Sequence, residues 1–166
     1  MRTTLNIEPD VLDLAKSLAD ARRISVGKAL SALAGPIHVH HDAAHRWFAA
    51  TRREGWSSCV HTEMGFIRLS MQPAMVKTTI GFADALKALT NSLSAPEHVF
   101  WPLDRTFAEI DGEIRERIAG HHQIADGLLL DLAIRNGGKL ATFDRRIELL
   151  LPGNSANRAA IELIPA

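Results

Sequence analysis

The chain has 166 residues, of which 46% are hydrophobic and 23% are charged, and its formal net charge is zero. This composition is typical of a globular protein and excludes a disordered chain, and the length suits one domain with at most a small appendage. Because the net charge is zero, binding to nucleic acid must depend on local patches of charge and not on overall attraction.

The expected compartment is the cytoplasm. A single cysteine, Cys59, excludes an internal disulfide and fits a reducing environment. The N-terminal residues are polar and lack the apolar core of a signal peptide. No run of residues approaches the roughly 18 apolar positions that a membrane span needs, so we expect no membrane partner.

Residues 1–34 are predicted to form a strand followed by two helices. Polar and apolar residues alternate over residues 2–7, which is the period of a strand with one buried face. The polar face of this strand consists of Arg2, Thr4 and Asn6. A first helix opens at Pro9, and Ser25 can cap a second helix that stops at residues 34–36.

From Asp42 onward, predicted helices alternate with predicted strands. The helices are expected from Asp42 to Gly55, from Thr62 to Met71, and at residues 79–93, 105–118 and 123–136. The strands are expected at residues 56–60, 98–101, 139–143 and 161–164, the last of them at an edge. This alternation predicts an α/β fold with a parallel sheet covered by helices on both faces.

Three acidic residues are candidates for chemistry. Glu63 lies just past one predicted strand, and Asp144 directly follows another, at the sheet edge where α/β proteins form their sites. Asp126 shares a helix face with apolar residues, and a carboxylate is costly to bury there unless it is paired or binds a cation. Together the three acids predict an oxygen-rich pocket for Mg²⁺ or Mn²⁺.

Each acid also has a structural interpretation. An Asp that directly follows a strand is often a helix cap or a turn residue, which would account for Asp144. A Glu in the first turn of a helix is favoured by the helix dipole, which would account for Glu63. Asp126 fits such an interpretation least well, because its neighbours on the helix face are apolar.

Three segments together resemble the PIN-domain ribonucleases, in particular the VapC toxins of type II toxin–antitoxin modules. They read HVHHDAAHRWFA from His38, TEMGFIRLSMQPA from Thr62 and GHHQIADGLLLDLAIRNGGKLATFDRRIELL from Gly120. The resemblance covers about residues 32–166 and implies a PIN-like three-layer fold and a Mg²⁺-dependent endoribonuclease. It further implies RNA as the substrate, a cognate antitoxin as a partner, and three of the four family acids at Glu63, Asp126 and Asp144.

The resemblance fails at the first strand. That strand normally ends in a fourth acid, a metal-binding Asp followed shortly by an Asn. Counting back from SALAG at residues 31–35 places the Asp at Val26 and the Asn at Lys28, so both are absent. We therefore expect a PIN-like domain at residues 35–166 whose first strand is missing or replaced and whose activity is weakened.

Residues 1–34 instead resemble a ribbon-helix-helix antitoxin of the VapB type. In that fold, two chains pair their N-terminal strands into a ribbon that enters the major groove of DNA, which implies a homodimer. Arg and Asn can make bidentate contacts to guanine and adenine. The candidate readers of operator DNA are Arg2, Thr4 and Asn6, although a half-exposed edge strand would show the same polar face.

The sequence therefore supports two alternative hypotheses about function, from different classes. One is a PIN-type ribonuclease weakened by the loss of one acid. The alternative is a catalytically silent DNA-binding and autoregulatory fusion of an antitoxin segment with a toxin domain. A further hypothesis places residues 3–7 in the vacant strand position, with Glu8 or Asp10 near the place of the lost acid, in which case the ribbon could not also read DNA.

A cluster of histidines raises the question of a metal site, since half of the eight histidines lie between residues 38 and 45. A structural zinc site needs ligands at fixed spacing, usually with a cysteine or a further histidine to close it. No cysteine lies near this cluster. We interpret it as the entry to a helix of the PIN-like domain, made of His38, His40, His41 and His45.

Overall fold

The structure is a computed structural model that describes residues 24–25, 41–51, 54–72 and 80–165. The strand predicted at residues 2–7 and both helices predicted for the N-terminal segment fall outside these ranges. The ribbon-helix-helix segment and the domain boundary at residues 34–35 therefore stay predictions.

Five strands and five α-helices make up the described part of the chain. The strands are β1 (Ile24–Ser25), β2 (Trp56–Ser58), β3 (His98–Phe100), β4 (Lys139–Thr142) and β5 (Ile161–Leu163). The helices are α1 (His41–Thr51), α2 (Val60–Ser70), α3 (Phe82–Leu93), α4 (Gly112–Arg115) and α5 (Ile124–Arg135). Short 3-10 turns lie at Phe107–Glu109, His121–Gln123, Arg145–Leu150 and Ala156–Ala160.

The strands form one parallel sheet in the order β3-β2-β1-β4-β5. β1 is the central strand, because Ile24 pairs with Trp56 of β2 on one side and with Lys139 of β4 on the other. The expectation that the first strand is missing is therefore wrong. A gap at this place would leave unpaired backbone groups on both β2 and β4, and Ile24–Ser25 supplies their partners.

The hypothesis that residues 3–7 fill the central position is also wrong, since Ile24–Ser25 occupies it. The predicted edge position of the last strand is confirmed, because β5 pairs with β4 and ends the sheet. No helix in the described part of the chain is long and apolar enough to cross a membrane.

Helices cover both faces of the sheet, as the alternating pattern predicts. Successive residues of β4 point to opposite faces, so Leu140 and Ala141 enter two different clusters. The cluster around Ala141 joins β2 to α1, α2 and α3 through Phe48, Trp56, Phe66 and Leu89. The cluster around Leu140 is built mainly on α4 and α5, with Ile114, Leu129, Leu130 and Ala133. The result is a helix–sheet–helix arrangement.

The helix predicted at residues 105–118 is largely wrong. Ile110 and Ile114 are both buried, and their spacing of four fits one face of a helix. The backbone of Ile110 is extended, however, and the Asp111 carboxylate accepts a hydrogen bond from the Glu113 N–H to begin the short α4. Two isolated turns, at Phe107–Glu109 and Gly112–Arg115, replace the continuous helix.

The start of α2 also differs from the prediction. The helix begins at Val60, with Cys59 as its N-cap, and not at Thr62. The Thr62 hydroxyl accepts a hydrogen bond from the Cys59 N–H at 3.0 Å and donates to the Cys59 carbonyl at 2.9 Å. This start places Glu63 in the first turn of α2, as predicted, directly above the end of β2.

Candidate active site

The parallel sheet brings three chain segments to one edge. Glu63 lies in the helix turn after β2, and Asp144 lies two residues after β4. Between these two strands is β1, which is followed in the chain by Val26. The PIN resemblance requires a fourth acid at Val26. In the chain this residue follows β1, the strand between β2, which leads to Glu63, and β4, which leads to Asp144.

Asp126 is buried on an apolar helix face, as predicted. It is the third residue of α5 and is only 8% exposed, and the residues that share its face are buried as well: Leu129, Leu130 and Ala133. Asp131, on the same helix, is a second buried acid with a structural role. Its carboxylate accepts hydrogen bonds from the Asp111 N–H at 2.9 Å and from Arg135 Nε at 2.8 Å.

Asp144 is held by Arg146, so its interpretation as a helix cap is confirmed. Its carboxylate accepts the Arg146 N–H at 3.0 Å and thereby caps the turn Arg145–Leu150. The Arg146 guanidinium binds the same carboxylate at both oxygens, with Nε 3.0 Å from Oδ1 and Nη2 2.8 Å from Oδ2. The Asp144 N–H donates to Thr142 Oγ1 at 3.1 Å.

Arg146 also responds to the charge of Asp126. Hydrogen bonds to Asp144 and the charge of that carboxylate raise the pKa of Arg146, and the charge of Asp126 raises it further. Asp126 and Asp144 are therefore close enough to act on one guanidinium. The Arg146 side chain is 79% exposed, so solvent screens this interaction and other cations can compete for it.

Glu63 belongs to a different set of contacts. The Ser58 hydroxyl donates to Glu63 Oε1 at 2.6 Å and lies 2.8 Å from His98 Nε2. Burial lowers the pKa of His98 from its ordinary value of 6.5, and this effect outweighs the charge of Glu63 and a hydrogen bond to the Leu93 backbone.

The donor chemistry of the three predicted acids suits Mg²⁺ or Mn²⁺, but their geometry does not assemble a complete site. Among the residues that the structure describes, no group of three or more His, Cys, Asp or Glu side chains could hold a metal ion. Asp144 is bound by Arg146, whose pKa the charge of Asp126 also raises, whereas Glu63 is bound by Ser58. Val26, which follows β1 in the chain, has an apolar side chain that offers no ligand oxygen.

The other predicted site residues have different outcomes. The histidine cluster leads into α1, as expected, with His41 as the first residue of that helix and His45 half-buried within it. The candidate DNA readers lie outside the described ranges and stay predictions: Arg2, Thr4 and Asn6.

Sequence reasoning overlooked three polar residues of the site, which are Ser58, Thr142 and His98. Ser58 and Thr142 are 2% and 1% exposed and are the last residues of β2 and β4. A hydroxyl at the end of a buried strand was the available signal for these two. His98 carried no comparable signal, because its contact with Ser58 depends on the register between two strands.

The matches with known proteins agree with this architecture. A family model of the PIN domain matches residues 28–150, a range that includes Glu63, Asp126 and Asp144. The chain belongs to the PIN domain family. The match begins just after Val26, so it lies beyond the position of the absent acid. The predicted PIN resemblance is confirmed, whereas the antitoxin resemblance of residues 1–34 stays a prediction.

Several PIN relatives come from Mycobacterium tuberculosis. Ribonuclease VapC39 is 33% identical over 135 residues, which cover 81% of this chain and 94% of the relative. Ribonuclease VapC38 is 39% identical over 116 residues, covering 70% and 80% of the two chains. Ribonuclease VapC44 is 33% identical over 134 residues, covering 79% and 92%. The similarity thus extends over most of each relative.

The lowered pKa of His98 predicts a pH-dependent contribution to stability. Because the unfolded state binds the proton more readily, the free energy of unfolding should fall as the pH drops through 6.5 toward the folded pKa. The His98→Gln variant lacks this contribution. As the pH falls from about 7.5 to about 5.5, the free energy of unfolding of the variant should therefore rise relative to that of wild type. Urea unfolding at several pH values measures this, with His122→Gln as the exposed control. A difference between wild type and His98→Gln that does not change with pH would contradict the assignment.

Proposed function

We propose that this PIN domain is a Mg²⁺- or Mn²⁺-dependent endoribonuclease whose activity is weakened by the absence of an acid at Val26. The relatives named ribonucleases support the reaction class. The observation that carries the proposal is the burial of Asp126 on an apolar face of α5. A buried carboxylate at such a place is costly unless it is paired or a cation compensates it.

In this proposal, Asp126 is the main ligand of the divalent ion, with Glu63 and Asp144 as further ligands. A bound ion of this kind supplies an activated water and neutralises charge on the phosphodiester. To bind the ion, the Asp144 carboxylate has to break its ion pair with Arg146. Because Arg146 is exposed, breaking this pair costs little free energy. Once released, Arg146 and its exposed neighbour Arg145 are placed to bind the phosphates of RNA.

The proposed partners follow from the same resemblance. RNA is the substrate, and a cognate antitoxin is the protein partner, in line with the naming of the relatives. Residues 2–7 bind operator DNA as a ribbon shared by two chains, which makes the protein a homodimer. The support for this part is the alternation of polar and apolar residues in that segment.

The alternative function is a catalytically silent DNA-binding and autoregulatory protein. Two observations favour it, namely the apolar residue at Val26 and the engagement of both oxygens of Asp144 by Arg146. In that case the PIN domain would serve dimerisation or partner capture, and its remaining acids would have no role in hydrolysis.

The first test is cleavage of a single-stranded RNA of mixed sequence in Mg²⁺, with and without EDTA. Asp126→Asn should lower the rate by more than about 100-fold, since even residues that merely support metal ligands typically contribute 10- to 100-fold. Asp104→Asn is the matched control, because it neutralises an exposed acid that pairs with Arg135. Cleavage that is insensitive to both EDTA and Asp126→Asn would rule out the enzyme proposal.

Restoring the absent acid should strengthen the site. Val26→Asp adds a carboxylate after the central strand, so Mn²⁺ should bind about tenfold more tightly, because affinity in oxygen sites rises with the number of ligand charges. Depletion of the free Mn²⁺ signal in electron paramagnetic resonance measures this without RNA, and RNA cleavage should increase in parallel. Val26→Asn adds an amide without a charge and serves as the control. Equal Mn²⁺ binding by wild type and Val26→Asp would show that Val26 does not stand at a ligand position.

The DNA-binding role is tested separately by a gel shift on the DNA upstream of the protein's own gene. Arg2→Ala should weaken binding by about tenfold, since a bidentate contact to a base is worth about 1–3 kcal/mol. Arg115→Ala removes an exposed positive charge elsewhere in the chain and should leave binding nearly unchanged. Equal binding by wild type and Arg2→Ala would remove the assigned role of the polar face.

A further inference from the structure

Ser58 connects two residues that are distant in the sequence. Its hydroxyl donates to Glu63 Oε1 at 2.6 Å, and the same oxygen lies 2.8 Å from Nε2 of His98. Ser58 is 2% exposed, so its hydroxyl is shielded from water, while Glu63 and His98 are half-buried. A hydrogen bond between a hydroxyl and a carboxylate is stronger in such an environment than at the surface.

The hydroxyl group sets the direction of both hydrogen bonds. Ser58 has a single hydroxyl hydrogen, and the Glu63 carboxylate can only accept. The hydrogen of Ser58 is therefore directed to Glu63, and His98 must donate its Nε2–H to the serine oxygen. A hydrogen on Nε2 of His98 thus orients the hydroxyl toward the acid.

His98 is itself fixed by the sheet. It is the first residue of β3 and stands opposite Trp56 in the register with β2. Its ring packs against the indole of Trp56, with ring centroids 4.4 Å apart. The two strands thereby determine where Nε2 points. From there Nε2 contacts the Ser58 hydroxyl, which in turn contacts Glu63.

We propose that Ser58 and His98 are positioning residues that hold the Glu63 carboxylate in one orientation for RNA cleavage. This inference rests on the proposed ribonuclease function. Among the residues that the structure describes, the hydrogen bond from Ser58 is the side-chain hydrogen bond of Glu63, and it engages Oε1. In this role Oε2 serves the reacting groups, while His98 acts on Glu63 through Ser58.

The experiment compares steady-state cleavage of a single-stranded RNA by wild type, Ser58→Ala and Ser58→Thr. Ser58→Ala should lower kcat by about tenfold or more, the size typical of groups that orient an active-site ligand, with KM within about twofold. Ser58→Thr keeps the hydroxyl and should recover most of kcat. Ser92→Ala is the matched control, since Ser92 is a buried serine whose hydroxyl donates within its own helix, to the Ala88 carbonyl at 2.9 Å.

Two substitutions of His98 separate positioning from mere packing. The amide nitrogen of Gln can take the place of Nε2, whereas that of Asn lies nearer to Nδ1. His98→Gln should therefore keep kcat within about threefold of wild type, and His98→Asn should lose about tenfold or more. Nitrogen NMR of the wild-type imidazole adds a readout without catalysis, since Ser58→Ala should shift the Nε2 resonance of His98.

The outcomes distinguish this inference from the function on which it rests. Absence of RNA cleavage by wild type overturns both. Wild-type cleavage that Ser58→Ala leaves unchanged overturns only the positioning role, as does equal loss in His98→Gln and His98→Asn. Loss of kcat in Ser58→Ala, recovery in Ser58→Thr and His98→Gln, and a shifted Nε2 resonance support it.

Discussion

The double pairing of β1 decides which segments of this PIN domain can form a site. Because β1 pairs with β2 on one side and with β4 on the other, these three parallel strands end at one edge of the sheet, where α/β proteins form their sites. Glu63 follows β2, Asp144 follows β4, and Val26 follows the strand between them. The composition of the site thus depends on the residue after a strand of only two residues.

Without an acid in the middle, the flanking acids are held by unrelated partners. Glu63 accepts a hydrogen bond from a buried serine whose hydroxyl is shielded from water. Asp144 is bound by an exposed arginine, and salt and competing ions weaken such a contact. One side of the site is therefore prearranged, whereas the other can be rearranged at little energetic cost.

The sequence predicted α5 well, because its apolar pattern is long enough to identify. It also placed Asp126 on its apolar face and Glu63 in its helix turn. The helix predicted at residues 105–118 was wrong, because the two buried isoleucines four residues apart, Ile110 and Ile114, lie on either side of a turn at Asp111. The sequence also failed at β1, because two residues carry no periodicity and pairing alone defines them as a strand. The contact between Ser58 and His98 depends on strand register, which no local pattern encodes.

The central position of β1 also bears on how the chain folds. Its partner β4 is separated from it by most of the chain, and contacts between such distant residues close large loops and slow folding. The pairs β1–β2, β2–β3 and β4–β5 join strands that follow one another in the sequence, so they close smaller loops. The two halves of the sheet are joined only by the pairing of β1 with β4. The shortest pairing surface in the sheet is thus the one that has to close its largest loop.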